Sequence, residues 1–186
     1  MSEFSRSTLF TLFIFLASIV AGILVTVGNP EAGQQMLNIF KETLLPEFLA
    51  NSPAMLAVKL FLNNLEACIF MFLGGASLGV LTAFIIMTNG VVIGSVIELF
   101  RQQEGILYIA AALIPHGIFE ISAFIIAGSL GFQLARELLR EWNGEGDAAV
   151  AALGMGRIFL RVVIPLVAIA ALTEAFITPE IIRLVA

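Results

Sequence analysis

Residues 9–27 read LFTLFIFLASIVAGILVTV, and this stretch decides the class of the fold. A helix needs about 20 such residues to cross a hydrocarbon core of about 30 Å, because inside lipid every backbone N–H and C=O must be paired within the segment. No charge falls inside the run. Arg6 precedes it and Gly28-Asn29-Pro30 ends it. It is longer than the apolar core of a secretory leader and has no small-x-small cleavage motif before Pro30, so it is expected to remain as an anchor.

Outward from this run the chain keeps the same character. Of its 186 residues, 60% are hydrophobic and 12% charged, against roughly 45–50% and 25% in soluble domains. A water-soluble fold is excluded on that ground. The length suits one domain, residues 1–186, with no room for a sizeable soluble module beside a bundle. The net charge of −5 is scattered rather than blocked, which points to neither nucleic acid nor strong attachment to anionic lipid. Cys68 stands alone, so neither an intrachain disulfide nor a thiolate cluster is available.

Further apolar runs follow. Residues 56–88 form a long one, interrupted by Gly74, Gly75 and Gly79, where Gly75 and Gly79 have the G-x-x-x-G spacing of close helix contacts, within one bundle or between copies. Asn89-Gly90 then reads as a break. Residues 91–100 are half a span long, either a short crossing or one limb of a re-entrant hairpin. Residues 106–133 make another run, with Tyr108 near its entrance, Pro115 inside it and Trp142 beyond it as an interfacial anchor. A last run covers 158–177 and stops before Pro179. Between Pro30 and Pro53, Met36, Leu37, Phe40, Leu44 and Leu45 recur at helical spacing among charges, which predicts an amphipathic helix lying at the interface over about 34–50. The expectation is an all-α, polytopic transmembrane helical bundle with four to five membrane-crossing helices plus that interfacial helix.

Orientation depends on whether 91–100 crosses. If it does, a cytoplasmic N-terminus puts Arg6, Arg136, Arg140, Arg157 and Arg161 inside, against Lys41, Lys59, Arg101 and Arg183 outside. If it does not, an external N-terminus puts Lys41, Lys59 and the four later arginines inside.

Polar residues within these runs are the candidates for function: Asn63, Asn64, Glu66, His116, Glu120 and Glu174. An ionisable group at bilayer depth costs at least ~2.5–3.5 kcal/mol on insertion scales, so it needs a partner or water. His116 and Glu120 are four apart and share a helix face, and Pro115 and Gly117 beside the histidine predict a local break with exposed carbonyls. Three readings fit: a hydrogen-bonded tie between helices, a proton or ion path, and a metal site in which His116, Glu120 and Glu174 leave a position open for water. Glu66 reads as reaching the headgroups. No cofactor is expected, a bound metal ion being the alternative.

The order of motifs has a further meaning. Phe61-Leu62-Asn63-Asn64, the glycine-rich stretch to Asn89-Gly90 with Gly94, Ile114-Pro115-His116-Gly117-Ile118-Phe119-Glu120 with Ala123, Gly128 to Gly131, and Glu174-Ala175-Phe176-Ile177-Thr178-Pro179 together resemble the stage II sporulation protein M (SpoIIM-like) family over about residues 56–182. The pattern departs at Ser122, where proline is common. The resemblance implies a membrane protein often counted as five spans. It also implies a functional core of Asn63, Asn64, Asn89, Gly90, His116, Gly117, Glu120 and Glu174, with no catalytic activity to carry over. The family's namesake works with peptidoglycan-degrading partners while one membrane engulfs another, and similar proteins occur in organisms that make no spores.

These readings predict a multi-pass cell-membrane protein, more a scaffold than an enzyme. Its expected partners are the lipid bilayer, further copies of itself and other membrane or envelope proteins, and no nucleic acid. A small ion or solute transporter using His116 and Glu120, and an intramembrane metal-dependent hydrolase, are the alternatives.

Overall fold

The computed structural model describes residues 3–29 and 52–185, together with Glu31, Gln35 and Asn38. Five helices in it are long and apolar enough to cross a membrane, and no strand occurs among the described residues. They are α1 (Glu3–Gly28), α2 (Pro53–Leu73), α3 (Val80–Gln103), α4 (Ile106–Trp142) and α5 (Ala148–Ile182). The interfacial helix expected at about 34–50 falls outside the described residues, save Gln35 and Asn38.

The helices start where local chemistry allows. Ser52 accepts the Met55 N–H ahead of Pro53, and Asp147 accepts the Val150 N–H ahead of α5, each satisfying a donor that a first turn leaves unpaired. Contacts fix the direction of each. Ser18 meets Gly90 while Gly22 meets Ser95, so α1 and α3 are parallel; Met71 meets Gly131 while Gly75, just past α2, meets Leu134, so α2 and α4 are parallel. His116 near the start of α4 meets Thr178 near the end of α5, so that pair is antiparallel. α4 packs against all four others, and its middle supplies the fully buried Ala123, Ala127 and Leu130. Large apolar side chains cover the outside, with Phe13 and Val80 each 70% exposed.

Residues 56–88 do not form one span, and 91–100 are neither a short crossing nor a re-entrant limb. The chain turns at Leu78 (φ 56°) and Gly79 (φ 84°), after a 3-10 turn at Gly74–Ser77, and 91–100 is the second half of α3. Ser77 Oγ accepts the Leu81 N–H and starts α3. Hydropathy hides this turn, because leucines and glycines run through it without a charge. Asn89-Gly90 is no break either. The Asn89 carboxamide donates to the Ile85 carbonyl at 2.9 Å on its own helix, and Gly90 is small because the Ser18 side chain lies against it.

The glycine pair at 75 and 79 is likewise not one helix face. Gly75 sits against the Gly131 carbonyl of α4, and Gly79 occupies the turn. The close helix contact is made elsewhere. A Cβ at Gly22 would strike the Val91 carbonyl, and one at Gly94 the Ile19 carbonyl, so Gly90 and Gly94 on α3 bring its backbone against α1. Ser95 Oγ donates to the Gly22 carbonyl at 3.3 Å across this contact.

Thr82 ties the α2–α3 turn. Its buried hydroxyl donates to the Met71 carbonyl at 2.8 Å, one of the acceptors that a helix end leaves free. Thr82→Val keeps the shape and orphans that carbonyl, so a loss of about 1–3 kcal/mol is expected, read as a lower melting temperature in detergent.

α4 and α5 also depart from the sequence reading. α4 runs unbroken through Pro115 and on to Trp142, 88% exposed, where 106–133 was expected; at 1.5 Å per residue it is about 56 Å long. α5 starts ten residues before 158. Instead of a break at Pro115, two wide π turns occur in α5, at Phe159–Val163 and Thr173–Ile177. Each is followed within two residues by a proline, Pro165 or Pro179. A proline ring clashes with the carbonyl four residues back and offers it no N–H. The chain widens instead, with Ile164 N–H bonding to Phe159 and Thr178 N–H to Thr173.

Candidate functional site

His116 and Glu120 are one turn apart on α4, with His116 Nε2 3.8 Å from Glu120 Oε2. α5 runs antiparallel beside them and brings Glu174 to the same place. In its wide turn Glu174, half-buried, lies between the buried Thr173 and Ala175. One ligand-type atom from each of His116, Glu120 and Glu174 lies within 4.8 Å of the others. On the far side of the imidazole, Nδ1 is 3.4 Å from Thr178 Oγ1.

These groups face a cavity of about 630 Å³. Asn64 of α2 joins them on its wall, Gly117 leaves room beside the histidine, and isoleucines such as Ile19, Ile93 and Ile121 supply much of the remainder. Among the described residues no lysine or arginine lines it. Along α4 beyond Glu120, Ser122 also lines the cavity with its hydroxyl turned back to the Ile118 carbonyl, and the next buried polar groups in that direction, Ser129 with Thr11, lie beyond Ala123, Phe124 and Ala127. That apolar layer separates the two polar regions and disfavours a continuous path along α4.

The expected cluster is therefore gathered except for one member. Asn64, His116, Glu120 and Glu174 converge. Asn63 is exposed on the outer side of α2, its carboxamide N–H only 3.5 Å from Asn64 Oδ1. A step of one residue turns a helical side chain by about 100°, and in α2 that step leaves Asn64 on the cavity wall and Asn63 off it. Glu66 lies within α2, seven residues from its end, and is exposed there. Asn89 and Gly90 belong to the α1–α3 contact. Pro115 is half-buried in α4 beside the site, and Gly75 and Gly79 serve the opposite end of the bundle. Thr178 was not among the expected site residues, although it lies four residues after Glu174 on the same helix and so on the same side.

Comparison with known proteins gives the family. The family model described as stage II sporulation protein M matches residues 11–179, which includes all four convergent residues. The uncharacterized protein MJ0793 of Methanocaldococcus jannaschii is 30% identical over 141 residues, covering 74% of this chain and 76% of that one. No solved structure matches this chain. With five apolar helices and a match that spans nearly its whole length, the chain belongs to the stage II sporulation protein M family of membrane proteins.

Proposed function

We propose that this chain is a multi-pass cell-membrane scaffold that assembles with a second copy of itself through the outer face of α2. One observation carries the reading: Lys59, Asn63, Glu66, Phe70 and Leu73 are all exposed and are spaced four, three, four and three. That is the seam spacing of paired helices. Asn63 is about 15 Å along α2 from Pro53 and Glu66 about 20 Å, depths at which lipid offers no hydrogen bond. A second α2 supplies one, since a carboxamide both donates and accepts. Asn63 then donates to the partner's matching carbonyl oxygen or to its carboxylate one layer on.

In the cell membrane the N-terminus is cytoplasmic on this reading, with Arg6, Arg136, Arg140, Arg157 and Arg161 on that side. The cavity with His116 then opens towards the other half of the bilayer. A role in membrane or envelope remodelling draws on the resemblance to the family, whose namesake works while one membrane engulfs another.

The test is the mass of the protein in nanodiscs or mild detergent. The wild type is expected to be dimeric and the double variant Asn63→Leu/Glu66→Leu monomeric, with an unchanged helical spectrum, because interhelical polar contacts are worth roughly 0.6–2 kcal/mol each. A monomeric wild type at high protein-to-lipid ratio would overturn the proposal.

A further inference from the structure

We infer that His116, Glu120 and Glu174 bind one divalent first-row transition-metal ion within the bundle. The argument starts from hydrogen-bond inventory. Neutral imidazole has one donor and one acceptor nitrogen, and an ionised carboxylate only accepts. Nδ1 lies within reach of the Thr178 hydroxyl. With its proton there, Nε2 presents a lone pair to Glu120 and Glu174. Three acceptors then converge with no donor among them, an arrangement that a cation completes.

The distances agree. Tetrahedral sites with bonds of about 2.0–2.2 Å hold their ligand atoms roughly 3.3–3.6 Å apart. The three groups here fall within 4.8 Å of one another, with His116 Nε2 3.8 Å from Glu120 Oε2, so small side-chain rotations close the set around an ion. Charge agrees as well. When ionised, the two carboxylates carry two negative charges beside a neutral imidazole, in a cavity that no lysine or arginine lines among the described residues, and a dication neutralises them where isolated charge is costly.

Imidazole among the ligands selects zinc, iron, cobalt or nickel over magnesium and calcium. Three protein ligands leave a coordination position facing the cavity, with the Asn64 carboxamide on its wall to receive whatever binds there. The Thr178 hydroxyl beside Nδ1 can accept its proton when Nε2 holds the ion, the role of the outer partner of a metal-bound histidine.

The experiment uses the full chain in detergent, stripped with a chelator and dialysed, then titrated with zinc chloride while bound metal is measured. About one zinc per chain is expected, with affinity reduced more than about 100-fold in His116→Ala and in Glu120→Gln/Glu174→Gln. Cobalt(II) added to the stripped wild type gives a second readout that needs no variant: an intense visible spectrum of low-symmetry, four-coordinate type. Stripped wild type of native helicity that takes up neither ion would overturn the inference. So would zinc uptake in the double carboxylate variant equal to that of wild type.

Discussion

Gly94→Ala is expected to lower the melting temperature of the detergent-solubilised protein by several degrees, while Gly117→Ala leaves it unchanged or raises it. Both glycines lie inside long helices, so alanine gains the same propensity at each, about 0.8–1 kcal/mol. Their surroundings differ. At Gly94 the new methyl would strike the Ile19 carbonyl and its neighbouring backbone atoms, which can yield only if α1 and α3 separate. Overpacking of this kind costs about 1–3 kcal/mol, at roughly 2–4 °C for each kcal/mol in a chain of this size. At Gly117 the nearest atom, Ile121 Cδ1, would be 3.8 Å away, an ordinary contact. Gly94→Leu is expected to go further and yield protein that aggregates on size exclusion, because no rotamer clears a backbone. Equal melting temperatures for Gly94→Ala and wild type would mean that α1 and α3 are not in such contact.

The same crossing shows what a sequence can and cannot say about a fold of this kind. The runs at 9–27, 106–133 and 158–177 announce helices because lipid demands long apolar stretches and nothing else competes with that signal. The turn at Leu78–Gly79 is silent. Hydropathy reports how greasy a residue is, and a tight apolar turn is as greasy as the helices it joins. Glycine spacing is equally ambiguous. Gly75 and Gly79 have the same interval as Gly90 and Gly94, yet only the second pair lies on one helix face, and which pair does so depends on where the turn falls.

The site was more legible than the topology. A histidine, two glutamates and an asparagine stand out from apolar surroundings whatever their helix boundaries, and the interval of four between His116 and Glu120 survives in a continuous α4. What the residues alone could not rank was Asn63 against Asn64, since that choice rests on the rotation of α2 about its axis. Thr178 gave no signal for a different reason. Hydroxyls in apolar helices commonly turn back to their own backbone, as Thr11 does to the Ser7 carbonyl and Thr173 to the Ile169 carbonyl, so a threonine there predicts nothing about a neighbouring helix.

Thr178→Val is expected to weaken zinc binding about 10–100-fold while leaving the fold in place, and Thr178→Ser to restore it. Valine keeps the branched shape of threonine in a position that is only 5% exposed, so packing on α4 is preserved. What it removes is the hydroxyl oxygen 3.4 Å from His116 Nδ1. An Nδ1–H then loses the hydroxyl oxygen that can accept it. The tautomer with the proton on Nε2 then competes and directs a donor at the position an ion would take. Serine returns the oxygen and lacks only the methyl. A purely packing role for Thr178 predicts the reverse order, with valine close to wild type and serine worse, because serine leaves a gap the size of a methyl group. Zinc titration of the three proteins separates the two accounts, and melting temperatures measured alongside in chelator show whether the apo fold was altered.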